Sequence, residues 1–334
     1  MSYTPFGGDT LGHTASKGDI YYPGIGKMLY VATAGSDFYD LMLKRAGRDR
    51  VFTTIQAAVD YIVHVNATDN TGNLYYGNHV VVLGPELAAL TEAVEVPLEA
   101  SGTRFIGTPD TYITTAADIN LFEVAAYRVS FENFMVYTSK SSHTAAAFFM
   151  GAFTAGHTNA YGHSVTCSAP PQWSTIANIL ATDHSQPLAM FVDSSDVEYM
   201  TVRNCTIEGT SGNAIDVAGG TNNSYTCYVK DNFFKDCEKA LAVSGGETHE
   251  WVVANNVSVN DTDAKGIFDI ATGTNADWTF VRNLISNVAA QTDSHAISAS
   301  ANSTTTNLIE NYASNRANGG SGGTLITEAL IDGA

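Results

Sequence analysis

Two aspartates stand at matching places in short apolar runs, Ala214-Ile215-Asp216-Val217 and Ile267-Phe268-Asp269-Ile270. In an extended strand, alternate side chains leave on opposite faces, so each acid points away from its aliphatic neighbours. If the two runs lie two rungs apart in a stack, the carboxylates are roughly 9–10 Å apart. An inverting glycosidase needs about 6.5–9.5 Å between its acid and its base. Asp216 and Asp269 are therefore the candidate catalytic pair, with Ala242 between them. The competing reading is two solubilising acids in a chain that carries 34. Asp193, Asp196 and Glu198 form another acidic group, which reads as a solvated turn.

A second group is His157, His163 and Cys167. Zinc sites take four ligands at recurring spacings, and this set matches none and lacks a fourth donor. It reads as a polar loop, so no metal and no cofactor is expected. The four cysteines, Cys167, Cys205, Cys227 and Cys237, contain no CxxC pair and read as reduced, small core residues.

Composition narrows the field. The chain has 334 residues, 44% hydrophobic, enough for a sizeable core. Its 16 bases against 34 acids give a net charge of −18, which repels phosphate backbones and argues against nucleic-acid partners. No run approaches the ~18 apolar residues of a membrane span. The start, Met1 to Gly8, has no basic segment followed by an apolar one, so no secretory leader is expected.

The first 50 residues are rich in Gly, Tyr and Thr and read as an extended or irregular N-terminal arm. Thr53 and Gln56 fit a capping box, and Ile55, Ala58, Val59 and Ile62 share one helical face. A helix is predicted within 51–65, the one helix the pattern supports. From residue 72 to 334 the chain reads as short β runs bounded by turn residues.

Repetition supplies the architecture. Val202-Arg203-Asn204, Val229-Lys230-Asp231, Val253-Ala254-Asn255, Val281-Arg282-Asn283 and Ile309-Glu310-Asn311 share one signature, and its polar residue recurs after 27, 24, 28 and 28 positions. Such a unit is too short for a propeller blade and has no helix for a leucine-rich repeat. It fits one β coil of two or three short strands, stacked with its neighbours into a solenoid. The Asn/Asp ladder is assigned to a turn, where these residues tolerate left-handed backbone. A long excursion is expected at 139–192, where the repeat is interrupted.

Tyr30-Val31-Ala32-Thr33-Ala34-Gly35-Ser36-Asp37, leading to Phe52-Thr53-Thr54-Ile55-Gln56-Ala57-Ala58-Val59, resembles the opening motif of the pectate-lyase-like superfamily. The resemblance implies an all-β, right-handed, single-stranded parallel β-helix with an N-terminal capping α-helix. That superfamily includes polysaccharide lyases, glycoside hydrolases, pectin methylesterases and bacteriophage tailspike and virion-surface proteins. The lyases' paired Asp plus Arg arrangement with calcium, and the methylesterase blocks, are not found in this sequence.

With Val202, Val229, Val253, Val281 and Ile309 pointing inward, the residues before them form an outward row, including Tyr228, Val252, Phe280 and Leu308. Four apolar groups on an outer face predict a subunit interface, the competing reading being that the excursion or an arm covers them. Taken with the resemblance, which implies side-by-side trimers as in virus-surface members of the superfamily, the expectation is a homotrimeric β-helix on a bacteriophage virion, made in the host cytoplasm. It would decorate or cement the capsid, with the major capsid protein or tail proteins as partners. The alternative is a tailspike-like protein that binds or hydrolyses a host surface glycan. A secreted pectin-active enzyme fits less well, for want of a leader.

Overall fold

The computed structural model describes residues 26–69, 78–138, 145–153, 157–182, 187–192, 197–209, 212–218, 223–243, 245–260, 267–270, 274–287, 297–299, 304–315, 324–325 and 331–332. The chain forms a parallel β-solenoid. A coil such as 201–225 runs through four short strands, Thr201–Arg203, Thr206–Glu208, Asn213–Ala218 and Asn223–Tyr225, before Tyr228–Lys230 begins the next. Each strand pairs in parallel with its counterpart one coil on. One face is a nine-stranded sheet running from Val94–Val96 to Ile331–Asp332.

Two helices occur. The expected one, α2 (Ile55–Asp69), buries Ile55, Ala58, Val59, Ile62 and Val63 against Leu29, Val31 and Val94. Its cap differs by one residue from the capping box read in the sequence. Thr54 Oγ1 accepts from Ala57 N at 3.1 Å. Gln56 turns away instead, and its Oε1 accepts from Glu95 N at 2.8 Å, tying α2 to the nine-stranded sheet. The other helix, α1 (Asp37–Ala46), corrects the expectation of an irregular arm up to residue 50. Ser36 caps it by accepting from Tyr39 N, and acids at its start with bases at its end suit the helix dipole. It buries only Met42 and Ala46, so it carries little of the apolar periodicity that reveals a helix in sequence. Residues 1–25 lie outside the described residues.

The register corrects the inward row. Val202, Val229 and Val253 do stack, but the next partners are Phe280 and Leu308, while Val281 and Ile309 follow Ala254. The spacing signature slipped by one residue between these coils. The reason is that two polar columns run side by side. Asn204, Asp231, Asn255, Arg282 and Glu310 hold left-handed backbone, with φ of 53°, 59°, 56°, 51° and 51°. One residue on, Asn232, Asn256, Asn283 and Asn311 are buried. In this inner column the Oδ1 of Asn256 accepts from both the backbone N and the Nδ2 of Asn232, each at 3.0 Å. Its own Nδ2 donates to Asn283 Oδ1 at 2.9 Å and Val229 O at 2.9 Å. Such a ladder satisfies turn amides that no strand partner reaches.

The excursion is shorter than the predicted 139–192. Phe148–Met150 and Thr175–Ala181 are ordinary rungs, paired with 122–124 and 130–136 respectively. Asn178 even keeps the left-handed backbone, with φ 55°, and donates to Asn133 Oδ1 at 2.9 Å. Among the described residues, what leaves the coil lies between 151 and 174, and it folds back over α2. Asn159 Nδ2 reaches Asp60 O at 3.4 Å, and the Tyr161 ring stacks on His64 at 4.8 Å. The four cysteines are buried and none is in a disulfide. Burial pushes the thiols of Cys205 and Cys227 up to about 12.

Candidate functional site

Among the described residues, three surfaces carry groups able to act on something outside the chain. The first is the outer face of the nine-stranded sheet. Its outward column reads Glu95, Glu123, Phe149, Met190, Asp216, Ala242 and Asp269 in register. Asp216 and Asp269 therefore do sit on one column with Ala242 between them. The Asp269 carboxylate is ion-paired with Lys239 Nζ at 2.6 Å, and Asp216 is half-buried. A lysine so close competes with any role of Asp269 as a free base toward substrate.

The N-terminal end of that column gathers residues that are far apart in sequence. Glu95 Oε2 lies 3.1 Å from His157 Nε2, and Cys167 packs beside both, so that one donor atom from each falls within 4.8 Å of the others. Desolvation, then the neighbouring charges of Glu123, Asp60 and Glu92, hold the Glu95 carboxyl above its usual range, partly opposed by His157. Burial, with Glu95, Glu99 and Glu123 nearby, pushes the Cys167 thiol up to about 12. His163, grouped with His157 and Cys167 by sequence proximity, instead meets His64, Nε2 to Nδ1, at 2.9 Å. Sequence spacing could not supply Glu95, which sits on a rung 62 residues before His157. Beside this cluster, a cavity of about 260 Å³ opens between the start of α2 and residues 87–94, lined by Thr53, Thr54, Gln56, Leu87, Thr91 and Glu92.

The second surface is a stripe of aromatics at a turn. Trp173 and Tyr199 hold left-handed backbone, with φ of 53° and 55°, which is costly for bulky side chains. Both are exposed, and their rings stack with an interplanar angle of 3° and centroids 5.4 Å apart. Tyr127 meets Trp173 edge-on, and the Arg128 guanidinium lies 5.7 Å from the Trp173 ring. One coil further, Tyr225 stacks on His249 at 5.1 Å.

The third surface corrects the outward row expected at Tyr228, Val252, Phe280 and Leu308. Phe280 is fully buried and Leu308 packs against the core, a consequence of the one-residue slip. The row containing Tyr228 and Val252 continues as Thr279 and Asn307, and so loses its apolar character. An outward apolar column does exist five residues further along each coil: Thr206, Phe233, Val257, Leu284 and Tyr312 in register. Phe233, Leu284 and Tyr312 are 37%, 42% and 48% exposed. Ion pairs border it, Lys235 with Glu208 and Arg282 with Glu310 at 2.7 Å.

No known family profile matches the chain, and no curated protein does. Solved structures share its fold. The A-module of the mannuronan C-5 epimerase AlgE4 of Azotobacter vinelandii is similar at 11% identity with a TM-score of 0.50, over 77% of this chain and 72% of that one. An iota-carrageenase solved with iota-carrageenan fragments is similar at 13% identity with a TM-score of 0.50, over 81% of this chain and 56% of that one. ORF18 of Geobacillus virus E2 matches at 11% identity with a TM-score of 0.33, over 79% of this chain and 58% of that one. The likeness to the epimerase module and the carrageenase, at such identities, is one of fold alone: a parallel β-helix. Among the described residues, no helix is long and apolar enough to cross a membrane.

Proposed function

We propose that this chain is a structural β-helix of a bacteriophage particle surface, assembled side by side as a homotrimer and seated on the major capsid protein or on tail proteins. The observation that carries the reading is the outward column of Phe233, Val257, Leu284 and Tyr312. A monomer gains nothing from large apolar groups in water on three of four successive rungs. A second copy presents the same rung spacing, about 4.8 Å, so two such columns can interdigitate along their length. An apolar centre bordered by ion pairs is also how protein interfaces are commonly built. A chain of net charge −18 repels its own copies, which leaves an uncharged column as the place where they can approach. Electron micrographs of intact particles, with the chain labelled, test the location. Label on capsid or tail is expected, and particles that never carry it contradict the reading.

A second reading is favoured by the Trp173–Tyr199 platform: binding of a host surface polysaccharide in the manner of a tailspike. Flat exposed aromatics offer apolar faces to sugar rings. In this reading Asp216 and Asp269 are the pair to examine for hydrolysis. The two readings are compatible on one particle, because platform and apolar column use different strands of the coil.

A further inference from the structure

We propose that Glu95, His157 and Cys167 form a three-ligand site for a divalent transition-metal ion, zinc in the first instance, which pins the excursion to the first rungs of the solenoid. The three donors come from two separate parts of the chain. Glu95 is the outward residue of the strand Val94–Val96, and its backbone N is anchored by Gln56 Oε1 at 2.8 Å. His157 and Cys167 stand on the two arms of the excursion. These arms are held in place independently of any ion: Val165 N donates to His157 O at 2.8 Å, Phe153 N to Cys167 O at 3.1 Å, and Leu98 N to Thr166 O at 3.0 Å. Glu99 Oε2 accepts from Thr166 N at 2.8 Å, so Glu99 fixes the backbone beside Cys167.

The geometry suits a small tetrahedral ion. Bonds of about 2.0–2.3 Å at tetrahedral angles place donor atoms roughly 3.3–3.8 Å apart. The donors here all fall within 4.8 Å of one another, with His157 Nε2 and Glu95 Oε2 at 3.1 Å, so side-chain adjustments of under about an ångström close the site. The donor set decides the metal class. A thiol and an imidazole select zinc or a similar ion over calcium or magnesium, which take oxygen ligands. Glu123 pairs in register beside Glu95, and the carboxylates of Glu99 and Asp60 are close by, a local excess of negative charge that favours a cation. On binding, the Cys167 S–H bond breaks, a sulfur–metal bond forms, and one proton leaves to solvent. His157 is exposed, so the fourth position faces water, as in sites that keep an open coordination place.

The test uses the full chain, freed of metal with a chelator and titrated with Co²⁺. One equivalent is expected to produce the strong visible bands of four-coordinate cobalt with a near-ultraviolet thiolate-to-cobalt band, and Zn²⁺ should abolish both. Cys167→Ser should remove the thiolate band. His157→Ala, at an exposed position that leaves folding intact, should weaken binding at least tenfold. Circular dichroism of each variant reports folding separately, and if Cys167→Ser fails to fold, His157→Ala alone decides. The proposal is overturned by absence of the thiolate band in the parent chain. It is equally overturned if both variants bind as the parent does, or if binding is lost in His163→Ala but kept in His157→Ala, which would put the ion between His163 and His64.

Discussion

Replacing Asn256 or its neighbour Asn255 by alanine separates the two polar columns that the repeat signature merges. Asn256 is buried and makes four side-chain contacts, accepting from Asn232 N and Nδ2 and donating to Asn283 Oδ1 and Val229 O, all between 2.9 and 3.0 Å. Asn256→Ala strands the Asn232 backbone N–H and takes a donor from Val229 O. Each buried group left unsatisfied costs about 1–3 kcal/mol, and Asn232 Nδ2 keeps Val202 O, so the total is about 3 kcal/mol. Asn255 is exposed and its side chain donates to Asp231 Oδ1 at 3.1 Å. Asn255→Ala loses that exposed bond and puts alanine at φ 56°, a cost of about 1 kcal/mol, while Asn255→Gly should be close to neutral. Urea unfolding followed by circular dichroism reads the difference. With a slope near 3 kcal/mol per molar, the midpoint falls by about 1 M for Asn256→Ala and about 0.3 M for Asn255→Ala. An Asn255→Ala loss equal to or larger than that of Asn256→Ala would refute the inner ladder and the register that goes with it.

Further outcomes follow from the same structure. His79 is buried beneath α2, where its Nδ1 accepts from Lys27 N at 3.0 Å and its Nε2 meets Asn66 Oδ1 at 3.0 Å. Burial, then Lys27 and Arg50, lower its pKa from 6.5 to about 3. The native state thus keeps this ring neutral while the unfolded chain takes up a proton below pH 6.5, so the stability it contributes is full above 6.5 and is lost as pH falls towards 3. Between pH 7 and 4.5 that loss is on the order of 2–3 kcal/mol, and His79→Gln should flatten the pH dependence of the unfolding midpoint over this range. On the glycan reading, Trp173→Ala should weaken binding to host capsule or lipopolysaccharide at least tenfold without changing the unfolding midpoint by more than a few tenths of a molar in urea. Asp216→Asn should leave that binding intact, and only if the chain is a depolymerase should it abolish product release.

The stacked coils were legible because each one repeats aliphatic residues at a near-constant interval, and only a solenoid buries such short strands. The helix α2 was legible from Ile55, Ala58, Val59 and Ile62 on one face. The single-residue slip at Val281 arose because Phe280 and Val281, like Leu308 and Ile309, are both apolar, so hydrophobicity alone does not say which faces inward. Asn255 and Asn256 are likewise the same residue type in two environments, one strained and exposed, the other buried. The aligned pair Asp216 and Asp269 was readable from its strands, whereas its partner Lys239 was not, because an ion pair depends on side-chain reach between rungs. Helix α1 left little trace because it buries few apolar groups. The cluster of Glu95, His157 and Cys167 was illegible for a different reason. Its members meet only when the excursion folds back on the first rungs, and no local spacing encodes that return. Trp173 and Tyr199 gave no signal either, since left-handed backbone at an aromatic is a property of the turn and not of the residue.

Native mass spectrometry of the purified chain, alone and as Leu284→Asp, tests the assembly most directly. A carboxylate at the middle of the Phe233, Val257, Leu284 and Tyr312 column places like charges against each other wherever copies meet there, without entering the core. A trimeric parent and a folded monomeric variant are the masses expected. A parent that remains monomeric at micromolar concentration, or a Leu284→Asp chain that stays trimeric, would contradict association through this face.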